Sequence, residues 1–458
     1  MDIDLYLLKK YDKAGPRYTS YPTAPYFHTG VTFQEYIGKI KAANENNSRE
    51  NISLYFHIPF CDTMCYFCGC NMLIAKKPGF MERYIQYLIK EMDLLLPHIG
   101  MKKNAGQMHW GGGSPNSLLP EQISRLGREI NKRFELSRDA EIAVEIDPRG
   151  LSFEHMDAFK KIGFNRFSMG IQDFNIKVQK AINRIQSEEI TWNALKWGRR
   201  LGFKSINIDL IYGLPYQTVE NFAYTLKKVI QMAPDRIAVF NFAYMPDMIK
   251  RQRMIDPASI PPGEIKLELL KLSIDTLTEA GYIYIGMDHF AKPEDELAHA
   301  LENRTLYRNF QGYSTHAGLD LYGLGMTSIS QLSDIYIQNY KTLRMYYQQL
   351  EKDTIPVMRG YLMSEDDILR RNVIMNLMCH FRLNKSEIEN KYKIDFNTYF
   401  KNELEDLDSI VKDNLIRLTE KEIIVTETGR IIIRNIAMIF DAYLRNKKKT
   451  KYRFSKTI

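Results

Sequence analysis

Tyr55-Phe-His-Ile-Pro-Phe-Cys61-Asp-Thr-Met-Cys65-Tyr-Phe-Cys68-Gly-Cys70 gathers four of the chain's five cysteines within ten residues. The apolar run Leu54–Ile58 that leads into it reads as a strand, so the cysteines fall in the loop at that strand's C-terminal end. A disulfide framework would spread its cysteines along a small secreted domain; clustering points instead to metal or redox chemistry in a reducing compartment. Three uses compete. Structural zinc wants two separated cysteine pairs closing a tetrahedron, and the sequence has no second pair. A cluster held by four cysteines would crowd Cys68 and Cys70, one residue apart, on a single edge. Cys61, Cys65 and Cys68 on three irons leave a fourth iron open to bind and reduce a ligand, and the spacing favours this use. Cys70 is then a spare thiol, and Cys379, flanked by Met378 and Phe381, a buried apolar one.

Outward from that loop, short apolar runs alternate with amphipathic stretches from Ser53 to about Gly286. Strands are expected at Leu54–Ile58, Gln107–Trp110, Glu141–Ile146, Arg166–Gly170, Ser205–Ile211, Arg236–Phe242 and Tyr282–Gly286. Helices are expected at Phe80–Leu96, Glu121–Phe134, Phe153–Lys161, Ser187–Leu201, Val219–Met232 and Glu264–Ala280. Such alternation implies an α/β fold, a parallel sheet covered by helices, open or curled into a barrel. Polar residues stand where the apolar runs finish: Glu145 and Asp147, Gln172 and Asp173, Asp209, Asn241, Asp288 and His289. In barrels of this kind those ends form the active-site rim. One polar residue at a strand end is usually a cap or an ion pair; five strands ending this way suggest chemistry. His109-Trp-Gly-Gly-Gly-Ser-Pro, at the end of the second strand, lets backbone approach a ligand closely, although a glycine run also suits a tight turn.

The flanks read differently. Gly15-Pro-Arg-Tyr-Thr-Ser-Tyr-Pro-Thr-Ala-Pro has too many prolines for regular structure and is expected to be an extended arm within an N-terminal segment 1–50. A catalytic body follows at 51–355. From about Pro356 to residue 458 helices are expected at Glu365–Met378, Lys385–Lys393 and Ile431–Leu444, with a hairpin at Leu415–Leu418 and Glu422–Thr426. That resembles a winged-helix module without a strongly basic recognition helix, and it reads as a lid or packing domain, not a nucleic-acid binder. The basic stretch Arg445–Arg453 is read as a solvated end. No apolar run reaches the roughly 18 residues that a membrane span needs. Met1-Asp-Ile-Asp-Leu puts acids where a signal peptide needs positive charge. A soluble, cytoplasmic protein is expected, and its net charge of +8 suits a polyanionic small substrate.

Taken together, Pro16–Ala24, Cys61–Cys70, His109-Trp-Gly-Gly-Gly-Ser-Pro, Phe164–Phe174, Asn207-Ile-Asp-Leu-Ile-Tyr-Gly-Leu-Pro, Ile285-Gly-Met-Asp-His-Phe-Ala and Arg308-Asn-Phe-Gln-Gly-Tyr carry a resemblance. CxxxCxxC before a glycine-rich second strand resembles the radical S-adenosylmethionine superfamily, and the wider set resembles its oxygen-independent coproporphyrinogen III oxidase family over nearly the whole chain. Cys70 and the proline-rich arm are the more specific marks. The resemblance implies a partial (β/α)6 radical-SAM barrel with an N-terminal extended arm and a mainly helical C-terminal domain. It implies a [4Fe–4S] cluster on Cys61, Cys65 and Cys68, and two S-adenosylmethionine molecules. The first would contact Tyr55, Gly112, Glu145 and Ile329. The second would contact Phe67, Gly113, Ser114, Gln172, Arg184, Asp209 and Ala243. No further catalytic residue is assigned.

The activity implied is oxidative decarboxylation of two propionates of coproporphyrinogen III to vinyl groups by a 5′-deoxyadenosyl radical, giving protoporphyrinogen IX in haem biosynthesis. An electron donor such as flavodoxin or ferredoxin and a monomeric state go with it. The alternatives are another radical porphyrin enzyme, methylating or ring-opening, and a non-enzymatic haem chaperone. Arg17, Arg184 and Arg308 are candidates to orient the substrate carboxylates. Ser114 stands where the family often has Thr, and Tyr244-Met-Pro-Asp-Met and Ser314-Thr-His-Ala depart more from its pattern.

Overall fold

Six strand–helix repeats organise the computed structural model, which describes residues 5–45, 51–75, 77–100, 104–445 and 454–457. They are β1 Asn51–Ile58, α1 Pro78–Ile99, β2 Asn104–Gly112, α2 Pro120–Arg133, β3 Glu135–Ile146, α3 Phe153–Lys161, β4 Arg166–Gln172, α4 Glu188–Arg200, β5 Ser205–Tyr212, α5 Val219–Met232, β6 Arg236–Asn241 and α6 Gly263–Glu279. Local chemistry sets their ends. Proline opens α1 and α2, where its missing N–H has no helical partner to lose. The Ser187 hydroxyl accepts from the Ile190 amide to start α4. Thr218 and Asn221 cap one another's backbone at the start of α5, which stops where Ala233 turns left-handed with φ of +47°.

The chain folds as two units. The first comprises residues 27–209 and 318–362, the second 1–26, 210–317 and 363–458, so the boundary falls inside β5. In the first unit β1, β2, β3 and β4 pair side by side and parallel. On the other side of β1 lies Asp320–Leu324, also parallel, then antiparallel strands Ile329–Gln331, Ile335–Asn339 and Val357–Leu362. The parallel strands are buried on both faces, which is why they read as continuous apolar runs. Trp110 sits at the centre, its ring edge-on to Phe56, Phe159 and Phe164.

In the second unit β6 pairs antiparallel with His289–Ala291, which pairs antiparallel with Ile283–Gly286. The expected seventh strand therefore exists but is not the next parallel neighbour. Gly286 (φ +141°) and Met287 (φ +51°) fold the chain back, and the returning strand takes the place beside β6. After Met363 come the helix Glu365–His380 and a three-stranded antiparallel sheet of Arg382–Asn384, Glu422–Val425 and Ile416–Leu418. The expected last helix is three short ones, Glu427–Ile431, Ile433–Ile439 and Ala442–Arg445. The proline-rich arm is flanked by helices Leu5–Tyr11 and Phe33–Glu45. Within the second unit it is tied to the chain's other end: Ala14 bridges Lys456, and the Arg434 guanidinium donates to the carbonyls of Gly15, Pro16, Lys456 and Thr457. Residues 446–453 of the basic stretch lie outside the described residues. Among the described residues no helix is long and apolar enough to cross a membrane.

Candidate active site

Past β1 the chain makes a loop whose base is closed before its cysteines are reached. Phe60–Cys61 pairs parallel with Leu73–Ile74, the Leu73 amide donates to the Pro59 carbonyl at 2.7 Å, and the Tyr66 amide donates to the Ile182 carbonyl at 3.0 Å. All five cysteines are free thiols, with Cys65 and Cys379 buried and Cys70 exposed. The Cys70 amide donates to Cys68 Sγ at 3.4 Å. Burial, with Cys68 and Cys65 close by, pushes the Cys61 thiol up to about 12. Cys379 is pushed up to about 12 by burial, as an inert core thiol should be.

Two arginines face the loop. Arg149 Nη2 and Arg184 Nη1 lie 3.3 and 3.6 Å from Cys65 Sγ, and both donate to Asp147. Burial would raise Asp147, but Arg184 and Arg149 outweigh it and hold the carboxyl at about 2. Two guanidinium groups thus line Cys65 Sγ, with the Asp147 carboxylate as their shared partner. Arg184 also donates to the Gly170 carbonyl at 2.5 Å, which leaves only its Nε enclosed without an acceptor.

The glycine run at the end of β2 lies against these groups. The Gly113 and Ser114 amides donate to the Ile58 and Phe60 carbonyls, both at 2.7 Å. A Cβ on Gly111 would meet the Glu145 carboxyl at 2.8 Å, and one on Gly112 would enter the His57 ring. Gly112 also has φ of +108°, a conformation that side chains disfavour. Glu145 accepts from the Gly112 amide at 3.1 Å and approaches His109 Nε2 at 3.2 Å. Although burial opposes ionisation, His109 and that amide hold its carboxyl below the usual range.

His57 lies beneath this shelf. Its Nε2 is 3.0 Å from the Asn71 carbonyl, which can only accept, so Nε2 carries the proton. Nδ1 then accepts from the Tyr55 hydroxyl at 3.1 Å. Burial lowers the imidazole to about 4, so the ring is neutral near pH 7. The Tyr55 ring stacks on His109 with centroids 5.9 Å apart.

Within β4 and β5, Ser168 and Asn207 donate to Asp209 at 2.9 and 2.7 Å. Burial pushes that carboxyl up to about 6 against those bonds. Gln172 adopts φ of +68°, and its Oε1 is buried without a partner, as is Asn207 Oδ1. Unpaired buried polar atoms on these adjacent strands fit a site that receives a polar ligand.

Of the residues expected to take part, Gly112, Gly113, Ser114, Glu145, Gln172 and Arg184 stand at strand ends or turns of the first unit, whereas Tyr55 and Asp209 lie within β1 and β5. Phe67 is half-buried inside the cysteine loop, and Ile329 begins the antiparallel strand beyond Asp320–Leu324. Ala243 belongs to the second unit, where it lines a cavity of about 690 Å³ with Lys266 and Tyr244. His57, Asn71 and Arg149 were not signalled by spacing; Arg149 is marked only by its place two residues after Asp147.

The Radical SAM superfamily model matches residues 55–229, and the HemN C-terminal domain model matches residues 363–432. Over 456 residues the chain is 45% identical to the oxygen-independent coproporphyrinogen III oxidase of Synechocystis sp., covering 99% of this chain and 97% of that one. Over 458 residues it is 44% identical to the Escherichia coli protein of the same name, covering 100% and 99%. Among solved structures, coproporphyrinogen III oxidase (HemN) from Escherichia coli, a radical SAM enzyme, superposes with a TM-score of 0.91 at 44% identity. That match covers 97% of this chain and 100% of the other. The similarity extends to the mixed α/β core with parallel strands and to the helical C-terminal region.

Proposed function

The chain belongs to the oxygen-independent coproporphyrinogen III oxidase family of the radical SAM superfamily, and from that membership we propose how its own residues serve the reaction. The enzyme oxidises two propionate side chains of coproporphyrinogen III to vinyl groups in haem biosynthesis. Each round removes one hydrogen atom, one electron and CO2. Bound S-adenosylmethionine and a [4Fe–4S] cluster supply the one-electron chemistry that begins each round.

The residues present fit both groups. Cys61, Cys65 and Cys68 would ligate the cluster: three thiols on one closed loop, with two guanidinium groups at Cys65 Sγ suited to sulfur carrying negative charge. Gly112 and Glu145 would hold the first S-adenosylmethionine, the carboxylate accepting from its ammonium group, with Tyr55 and Ile329 against its apolar surfaces. We assign a second molecule to Phe67, Gly113, Ser114, Gln172, Arg184, Asp209 and Ala243. The unpaired Gln172 Oε1 and Arg184 Nε support that assignment. His57 and Arg149 act as positioning residues: one braces the glycine shelf, the other Cys65 Sγ.

The chain's task is to orient the propionate and exclude water. Functionally it divides into an arm (1–50), a catalytic body (51–355) and a C-terminal domain (356–458). A cytoplasmic monomer reduced by a flavodoxin or ferredoxin completes the proposal; the net charge of +8 suits an acidic electron carrier.

The observation that carries this reading is the glycine shelf bonded to Glu145 beside the cysteine loop. Anaerobic turnover of reconstituted, dithionite-reduced protein with coproporphyrinogen III, S-adenosylmethionine and an added electron acceptor should give protoporphyrinogen IX, CO2, methionine and 5′-deoxyadenosine, which carries the hydrogen atom removed. Equilibrium dialysis should count two S-adenosylmethionine molecules per chain, falling by one in Glu145→Ala. A methylated or linearised tetrapyrrole as product would sink the functional reading.

A further inference from the structure

The second unit contains a buried cation, two of whose nitrogens meet no acceptor among the described residues. Arg308, on the short strand Tyr307–Asn309, is 3% exposed, and its Nε and Nη1 are both enclosed without an acceptor. Its guanidinium carbon lies 4.7 Å from the centre of the Tyr313 ring, which supports the cation from one face but accepts no N–H. The Tyr313 hydroxyl donates to the Met378 carbonyl at 2.9 Å. His289 stands edge-on to Tyr313, with ring centres 5.3 Å apart, and its Nδ1 is also buried without a partner. Burial and the neighbouring Arg308 lower that imidazole to about 3, so His289 adds polarity here but no charge.

The surrounding ions do not neutralise Arg308. Asp288 is already paired with Arg17, whose guanidinium lies over Phe240. Arg236 is paired with Asp295 at 2.9 Å. Arg434 donates to four backbone carbonyls, which carry no net charge. Positive charge therefore exceeds negative in this buried region: Arg434 directs its donors to carbonyls, whereas Arg308 Nε and Nη1 are enclosed with no acceptor among the described residues. An enclosed guanidinium without an anion is strongly unfavourable, by several kcal/mol. It is kept where an anion arrives from outside, and a carboxylate matches the guanidinium fork in shape and charge.

We infer that Arg308 is the binding residue for one propionate carboxylate of the tetrapyrrole. The other two arginines considered for this role are already engaged, Arg17 by Asp288 and Arg184 by Asp147 and the Gly170 carbonyl. The assignment rests on the coproporphyrinogen reading above. A methionine carboxylate of S-adenosylmethionine has the same chemistry, and the test separates the two sources.

Coproporphyrin III, the fluorescent oxidised form of the substrate, is titrated anaerobically into the reconstituted full-length protein, with S-adenosylmethionine binding measured in parallel by calorimetry. Arg308→Met should bind coproporphyrin III about ten- to a hundredfold more weakly, the loss of a charged hydrogen bond. Arg308→Lys should retain part of the affinity, and S-adenosylmethionine binding should not change in either variant. The ligand-free Arg308→Met protein should melt at the wild-type temperature or above it, because an unpaired buried charge has been removed. Unchanged porphyrin affinity in Arg308→Met, weakened S-adenosylmethionine binding, or a lower melting temperature in both variants would overturn the assignment. Wild-type protein that binds no coproporphyrin III would overturn the substrate reading itself.

Discussion

Gly112 occupies a position that no other residue fits, since its backbone is at φ +108° and any Cβ would enter the His57 ring. Gly112→Ala should cost about 1–3 kcal/mol in urea unfolding. It should also weaken S-adenosylmethionine binding at least tenfold, because the amide that meets Glu145 must shift. A variant with wild-type affinity would remove the shelf from the proposed site. At this scale the sequence was most legible where chemistry dictates spacing: three cysteines at i, i+4 and i+7 narrow the options without any fold. It was least legible where a residue acts through a neighbour. Nothing near His57 in sequence announces that Asn71, fourteen positions on, fixes its tautomer. Arg184 showed the limit of residue type, because its charge is visible in the sequence but its prior engagement with Asp147 is not.

Helix α1 carries a feature that belongs to elements and not to any one residue. Glu91, in its buried face, accepts from the Gly325 amide at 2.7 Å, the Tyr346 hydroxyl at 2.6 Å and Asn339 Nδ2 at 2.6 Å. One carboxyl thus joins the helix to the antiparallel extension of the first unit's sheet. Burial pushes Glu91 from its ordinary 4.5 up to about 7, against those three bonds. Between those values the folded protein keeps a proton that the unfolded chain has released. The contribution of Glu91 to stability should therefore fall as pH rises from about 4.5 to about 7, then level off. Urea unfolding of wild type and Glu91→Gln across pH 4.5–8 checks this: the difference between them should vary with pH in that window, and a constant difference would refute it. The extension itself escaped the sequence reading. Its strands are three to six residues long and mix Asn, Gln and Ser with apolar residues, which gives no period to detect. The parallel strands and their helices were readable because each is a long apolar run or a full amphipathic face; Val219–Met232 matched to the residue.

Across the whole molecule, each unit is assembled from segments far apart in the chain. Regular βα alternation gave no hint of this, because the partition depends on long-range pairing and not on composition. In the second unit Arg434 is the main clasp, buried and bonded to carbonyls from both chain ends. Arg434→Met should expose the arm: hydrogen exchange at residues 13–17 should accelerate by at least tenfold, from the loss of several charged hydrogen bonds. Unchanged protection there would mean that the arm is held by Tyr18 and its bond to Asp441 instead. The clasp also sets an order of events during synthesis. Arg434 and its partner Gly15 are 419 positions apart, so the arm is synthesised long before the residue that clasps it. The arm is without this clasp until Arg434 has been made, and only then can Gly15 and Pro16 acquire it. A nascent chain stalled before Arg434 would carry a loose, protease-sensitive N-terminus, however well its cysteine loop had already formed.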